Sequence, residues 1–380
     1  MSAALLFVLL YLLIMKITKK NIILLLALML TTLAHAQASI GEKAKKDLIQ
    51  KTSFGGYVIG KATITDQDLD ASTKSHTDFD IRLVRAYVDG KVLDFKYKLQ
   101  LELNGKPGDY ANEKGVRIVD AWAEWQKYKF FYVRFGQFKR AFTFENPMNP
   151  WDIGFGAYSQ LITKLAGMSD RVGEHSSNGR DLGLQFQGDF LPIGNNRHNF
   201  VHYQVGVYNG QGINHKDENR SKDIIGGVYV HPVKELAVGV FGWTGDYTKN
   251  GITVDRNRMA FGLKYESAWT VRAEYATSEG HKITDYDSNG ILKEGTSDKA
   301  DAWYVMIGAP LSPKLKVYAK WDVYRDKKEW SSQKALYCLA ANYYFYKNLK
   351  IQANYTYTNN RSTANDGHYN TFDLQLYWRF

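Results

Sequence analysis

The sequence predicts an all-β chain, a transmembrane antiparallel β-barrel of about 16 strands with a long third outer loop folded into its lumen. Three observations carry this. Apolar and polar residues alternate through most of the chain, the connections between alternating stretches are long and short by turns, and no convincing amphipathic helix interrupts them. Successive side chains of a strand point to opposite faces, so such stretches have one face for lipid and one for a wet interior.

Composition sets the bounds. The chain has 380 residues, 26 tyrosines, one cysteine and a formal charge of +10. That length is large for one globular domain and ordinary for a large barrel. Mean hydropathy is below zero. This argues against membrane helices but not against a barrel, where only alternate residues face lipid. Cys338, among Leu336, Tyr337 and Leu339, is a small packing residue. The positive charge is diffuse, without a compact Lys/Arg cluster outside the amino-terminal region, which fits small anions better than nucleic acid.

Met1 to Ile14 is apolar, Met15 to Lys20 brings in charge, and a largely apolar run from Ile22 to Leu33 precedes Ala34-His35-Ala36. Charged region, apolar core and small-residue site describe a signal peptide over residues 1–36, with Met15 a natural start. Two adjacent membrane helices compete with this, but Met1 to Ile14 is shorter than the ~20 residues a span needs. Cleavage removes Lys16, Lys19 and Lys20 and no acid, taking the charge from +10 to +7. Residues 37–52 come next as a short polar periplasmic lead-in, and residues 53–380 form the barrel domain.

The strand-like stretches lie near 53–64, 78–90, 93–104, 116–127, 130–138, 180–190, 198–209, 222–232, 234–246, 256–266, 268–279, 299–310, 313–325, 334–345, 347–358 and 369–380. Alternation is cleanest in 93–104 and 313–325, and 180–190, 198–209, 256–266 and 347–358 repeat it. Two stretches, 78–90 and 234–246, are ambiguous, and Arg82 and Arg85 in the first have opposite parity. In the last, Phe372, Leu374, Leu376, Trp378 and Phe380 alternate with Asp373, Gln375, Tyr377 and Arg379. Connections after even-numbered strands are short, such as Lys91-Val92, Tyr128-Lys129 and Tyr346; those after odd-numbered strands are long. Segregation by parity is a property of outer-membrane barrels, with short periplasmic turns and long outer loops.

The longest connection runs from Lys139 to Gly179 and holds Asn146-Pro147-Met148-Asn149-Pro150-Trp151. A structureless loop of that length is usually functional, and inside a wide barrel it would narrow the lumen. Parity puts Lys96, Lys98, Arg134, Arg258, Lys264, Arg272, Lys316, Lys320 and Lys350 on the inner face. The same rule puts Asp94, Glu102, Asp120, Glu124, Asp181, Asp189, Glu274 and Asp322 there. This near-neutral mixture reads mainly as cross-strand pairs holding the wall. In the third loop Asp170 and Glu174 lie close to Arg171, whereas Lys139, Arg140 and Lys164 have no acid within a few residues and are better anion candidates.

Other chemistry is weak. Asp285 to Gly290 resembles the start of a calcium loop, but Thr296 stands where its closing glutamate should be. The nine histidines lack metal-ligand spacing, and no Gly-x-Ser-x-Gly is present. The expectation is no enzyme, no cofactor and no metal.

Val133-Arg134-Phe135-Gly136-Gln137-Phe138-Lys139-Arg140-Ala141-Phe142-Thr143-Phe144-Glu145 resembles the "GQFK…PF…E" segment of the phosphate-selective porin O/P family, and Gly179-Arg180-Asp181-Leu182-Gly183 to Gly188 resembles its "RD-G----G" strand. Ala141 departs from the pattern, which has proline there. Phe380, with alternating Trp378, Leu376 and Leu374, is similar to the terminal signature read by the outer-membrane assembly machinery. The resemblance implies a sixteen-stranded, commonly trimeric porin of the Gram-negative outer membrane. It also implies passive diffusion of small hydrophilic solutes, and phosphate-selective members use lumenal arginines and lysines. The expected solute-binding residues are Lys139, Arg140, Lys164 and Arg171 of the loop, Arg180 at its rim, and Arg134, Lys96 and Lys98 on the wall. A general or saccharide porin with a Tyr- and Trp-lined lumen, or a closed structural barrel, are the alternatives. Expected partners are outer-membrane lipid, small anions, further copies of the chain in a homotrimer and the assembly machinery.

Overall fold

The computed structural model describes residues 41, 46, 51–67, 76–105, 115–195, 197–362 and 367–380. The expected signal peptide and most of the expected polar lead-in lie outside the described residues. The strands are β1 (Ser53–Thr65), β2 (His76–Val92), β3 (Phe95–Gly105), β4 (Gly115–Tyr128), β5 (Phe131–Lys139), β6 (Arg180–Ile193), β7 (His198–Tyr208), β8 (Asp223–Val230) and β9 (Leu236–Thr244). A short hairpin comes next, β10 (Asp246–Lys249) and β11 (Ile252–Asp255). The series continues with β12 (Asn257–Glu266), β13 (Thr270–Glu279), β14 (Lys299–Ser312), β15 (Leu315–Arg325), β16 (Gln333–Tyr346), β17 (Leu349–Asn360) and β18 (Gly367–Arg379).

Sixteen of these, all but β10 and β11, close into one antiparallel barrel of sequential neighbours. Closure is made by β1 on β18, in register from Tyr57 opposite Arg379 to Thr65 opposite Thr371. Hydrocarbon offers a backbone amide no partner, so an open pair of edges there is excluded. The sixteen barrel strands are the sixteen stretches expected from alternation, and the short turns fall where the parity of loop length put them.

The two faces separate cleanly on β18. Phe372, Leu374, Leu376 and Trp378 are exposed, whereas Gln375 and Tyr377 are buried. Exposed aromatics gather beside the short turns, among them Phe95, Tyr128, Phe130, Phe190, Trp269, Phe345, Tyr346 and Phe380. Amphipathic rings favour the level of the headgroups, and this belt marks one membrane interface.

Two ambiguities of parity have structural causes. In β2 the register steps from Leu83 opposite Ile59 to Ile81 opposite Gly60, leaving Arg82 as an extra residue. A bulge switches the face taken by the residues on its far side, so both arginines point inward: Arg82 donates to Gln375 and Tyr377, and Arg85 to Glu102 and Tyr57. In β9 both faces are apolar. Val238 and Val240 face out, while Phe241 and Trp243 face in against Phe142 and Phe144 of the third loop.

Closure makes a specific demand of the last strand. A chain ending at Asp366 would leave β1 and β17 as unpaired edges, and we expect it not to reach a folded, inserted state. The measurement is the heat-sensitive shift in electrophoretic mobility of a folded barrel; a truncated chain that keeps that shift would overturn the closure argument.

Candidate functional site

The third loop, residues 140–179, is the longest connection and packs against inward-facing side chains of the barrel. Its first arm enters at Phe142 and Phe144. The Phe144 ring lies where a side chain on Gly239 or Gly262 would stand, and these glycines face one another across β9 and β12. Farther along, the Gly154 carbonyl accepts from Asn342 and Gln352, and the Gly156 amide donates to Asn354 at 3.0 Å. Lys350 donates to the Trp151 carbonyl at 2.7 Å, and the Trp151 ring meets Tyr377 edge-on. Helix α1 (Gln160–Leu165), capped by Ser159, comes after this tip. The Gln160 amide donates to the Asp322 carboxylate. In this way the loop covers β9 and β12 to β18. Toward β1 to β4 it packs Trp151 with Tyr57, Ile59 and Leu83, and bonds Arg117 and Glu102 through Ser176 and Asn178.

The inward charges are mostly spoken for. Glu102 takes Arg85 and Arg117 at 2.5 and 2.8 Å, Glu124 takes Arg134 at 2.7 Å, and Asp120 takes Arg180 at 2.8 Å. At the base of the loop Arg140 binds Glu174 at 3.0 Å and Asp181 at 2.8 Å. There Arg256 binds Glu174 and Asp223, and Arg258 binds Asp170. The guanidiniums of Arg140, Arg256 and Arg258 surround the indole of Trp243 at 4.9, 4.7 and 4.6 Å.

Between the wall of β1 to β6 and the loop edge Pro147-Met148-Asn149-Pro150 lies a cavity of about 240 Å³. Arg85, Lys98, Arg134, Lys139 and Arg180 line it, with Asp120 as its one acid. Tyr57, Trp122, Phe138 and Tyr158 supply its rings. The three arginines have the carboxylates named above. Lys98 and Lys139 have no ion pair among the described residues and lie instead over rings, Lys98 5.0 Å from Tyr87 and Lys139 5.1 Å from Tyr158. A ring quadrupole attracts a cation without supplying a counter-charge, so neither ammonium is bonded to a carboxylate among the described residues.

The eight expected residues divide accordingly. Lys98, Arg134, Lys139 and Arg180 come together around the cavity. Lys96 is exposed beside the short turn before β3 and lies outside it. Lys164, in the last turn of α1, is half-buried and also outside it. Arg140 is fully buried between two carboxylates, and Arg171 is buried against the carbonyls of Gly280, Ser297 and Asp326. The acids that occupy Arg140 are thirty-four and forty-one residues away, beyond the reach of a sequence window. Asp170 and Glu174 do not pair with the adjacent Arg171. The rings of Trp122 and Tyr158 and the edge at Pro147 carried no signal of their own, although proline and tryptophan in one long loop mark a built segment.

The motif residues build the loop base. Gly136 has φ 130°, and a Cβ there would collide with the Ala121 carbonyl; Gly179 has φ 68° and lies against Asn146. Only glycine adopts such conformations without strain. The Ala141 amide donates to the Tyr208 hydroxyl at 3.2 Å, a bond that proline, lacking the N–H, cannot make.

Residues 60–223, which contain both motifs, match the family model for phosphate-selective porin O and P. No curated protein sequence matches the chain. Among solved structures the barrel is similar to an anion-selective porin from Comamonas acidovorans, at 15% identity and TM-score 0.63 over 87% of this chain and 99% of that one. It is also similar to the outer membrane channel DcaP of Acinetobacter baumannii, at 13% identity and TM-score 0.61 over 87% and 97%. OmpF of Salmonella typhi, in complex with daunomycin, gives 12% and 0.61 over 87% and 97%. At these identities the likeness is one of fold, that of an outer-membrane porin barrel.

Arg140→Gln would leave the buried Asp181 carboxylate without its cation, a lesion worth about 3–5 kcal/mol. We expect a lower urea midpoint for unfolding from micelles and an unchanged reversal potential. A shifted potential at full stability would place Arg140 in the path of the solute instead.

Proposed function

We propose that the chain is an outer-membrane porin that passes small hydrophilic solutes by passive diffusion and prefers anions, phosphate among them. The observation that carries this is the charge around the cavity at the loop edge. Lys98 and Lys139 face it without carboxylate partners, and the loop edge opposite, Pro147 to Pro150, carries no charge. Three of the loop's four acids are engaged elsewhere, Glu145 with Ser159, Asp170 with Arg258, and Glu174 with Arg140 and Arg256; the fourth, Asp152, is exposed two residues beyond Pro150. A narrow passage with positive potential on one side and a neutral edge on the other raises the local concentration of anions. The third loop is then the constriction, Lys98 and Lys139 its selective charges, and Arg85, Arg134 and Arg180 a paired basic background.

The rings of Tyr57, Trp122 and Tyr158 at the same cavity support a second reading, a saccharide-passing porin in which sugars stack on them. Sugar-dependent block of the ion current separates it from the first. On either reading residues 1–36 are the export signal, the barrel is one protomer of a homotrimer, and Phe380 with its alternating neighbours is read by the assembly machinery, as the family resemblance implies. No catalytic role is assigned.

The test is the reversal potential of single channels in a salt gradient. The double variant Lys98→Gln, Lys139→Gln should lower the anion-to-cation permeability ratio roughly tenfold, with conductance retained. An unchanged ratio would remove these lysines from selectivity, and cation preference in the unsubstituted chain would sink the anion reading.

A further inference from the structure

Three buried carboxylates meet where the loop is fastened to the wall. Glu145 belongs to the loop, Glu274 to β13 and Asp322 to β15, and each is almost wholly shielded from solvent. Glu274 accepts the amides of Phe144 and Glu145 at 2.7 and 2.9 Å and the hydroxyl of Tyr304 on β14 at 2.9 Å. Glu145 accepts the amide and hydroxyl of Ser159, which ties off residues 146–158 as a closed tip. Asp322 accepts the Gln160 amide at 3.1 Å and pairs with Lys320 at 3.1 Å. Thr143, immediately before the two donated amides, sits at φ 66°, a strained conformation for a β-branched residue that the fastening has to hold.

The charges around this point do not balance. Lys320 is the cation in contact with the trio. Arg272 on β13 is bonded to Glu266 and to the carbonyls of Asp152 and Ile153. Lys264 on β12 lies 5.8 Å from the Phe144 ring and 3.9 Å from Glu266. The Cys338 thiol on β16 stands opposite Lys320, the Tyr304 hydroxyl bonds Glu274, and Lys139 and Tyr158 lie within electrostatic reach of Glu145. Three ionised carboxylates against Lys320, with Arg272 shared with Glu266 and Lys139 farther off, would leave an excess of negative charge in a buried space, where like charges share protons.

We propose that Glu145, Glu274 and Asp322 form a proton-dependent latch, which seats the loop tip when one carboxyl holds a proton and loosens it when all three are ionised. Burial raises the Glu145 carboxyl above its ordinary range, with Asp322 adding to the rise and Lys320 and Ser159 opposing it. Linkage sets the sign. A group whose pKa is higher in the seated state favours that state at low pH, and the advantage fades as pH rises through the raised value. Loosening would free the ends of the tip at Phe144 and Gln160 while Asn342, Lys350, Gln352 and Asn354 still hold residues 151–156, and would let the edge Pro147 to Pro150 shift into the cavity beside Lys98 and Lys139. Loosening therefore closes the passage, and closures become more frequent toward alkaline pH.

This inference rests on the lumen being a conduction path, and its test has an arm that does not. Single-channel records between about pH 5 and about pH 9 should contain roughly tenfold more closing events at the alkaline end. Glu145→Gln, which keeps an acceptor for Ser159 and removes the charge, should flatten that dependence. Amide exchange at Ser159 and Gln160, normalised to intrinsic rates, should lose protection over the same range in the parent and not in the variant. If Glu145→Gln does not assemble, Glu274→Gln should give the same flattening. Protection independent of pH, or a variant that tracks the parent, overturns the latch. Absence of current with pH-dependent protection sinks the channel reading and leaves the latch standing.

Discussion

Every backbone N–H and C=O that enters hydrocarbon must find a partner within the protein, and the architecture is a consequence of that requirement. It makes the sheet close, so β18 must pair with β1. The antiparallel order then returns both ends of the barrel to the side of the short turns, and an even strand number results. Sixteen strands leave an interior too wide for wall side chains to fill, and it admits a second layer, the third loop. The loop meets the same requirement in turn, because its backbone is withdrawn from water. Glu274, Asp322, Asn342, Lys350, Gln352 and Asn354 supply the partners. The polar inner face is thus the hydrogen-bonding surface that lets an irregular segment be buried, as well as a wet lining.

Arginine and lysine accordingly divide the labour. The guanidinium is a planar fork matched to a carboxylate, and it keeps its charge in buried surroundings. Arg85, Arg117, Arg134, Arg140, Arg180, Arg256 and Arg258 all sit on inward carboxylates. These pairs tie neighbouring strands together and fasten the loop base to the wall. Their net field at the cavity is small, because each positive charge has its counter-charge within about 3 Å. Lys98 and Lys139 lie over rings instead, with no carboxylate bonded to them among the described residues. On the anion reading proposed above, the chain's overall charge of +10 is therefore a poor guide; what would matter is which cations lack an acid at the cavity.

Much of the fold could be read from the sequence, because period-2 alternation and loop parity are local and repeat along the chain. What escaped was non-local or off-period. The bulge at Arg82 shifts parity by one residue, and the apolar inner face of β9 exists only because Phe142 and Phe144 arrive from another segment. The β10–β11 hairpin did carry a local signal: Asn250-Gly251, both at positive φ, is the favoured two-residue turn. Four of the eight expected solute residues gather at the cavity, Lys98 and Arg134 by parity and Lys139 and Arg180 by their place at the loop's two ends. Arg140 and Arg171 looked free because their partners lie on other elements, and charge pairing across a barrel leaves no trace in a short window.

The family motifs fall on the hinge between wall and loop, and their chemistry explains why that hinge is the most recognisable part of the chain. At Gly136 and Gly179 a side chain would collide with the Ala121 carbonyl and with Asn146, Arg180 and Asp181 fix opposite sides of the loop base, and Gly183 lies against Tyr208. From this base the loop can lean only one way, because the Phe144 ring fits where Gly239 and Gly262 have no side chains. That seat sets the tip against β12 to β18. It also brings the uncharged edge Pro147 to Pro150 opposite Lys98 and Lys139, the geometry on which the proposed anion preference rests.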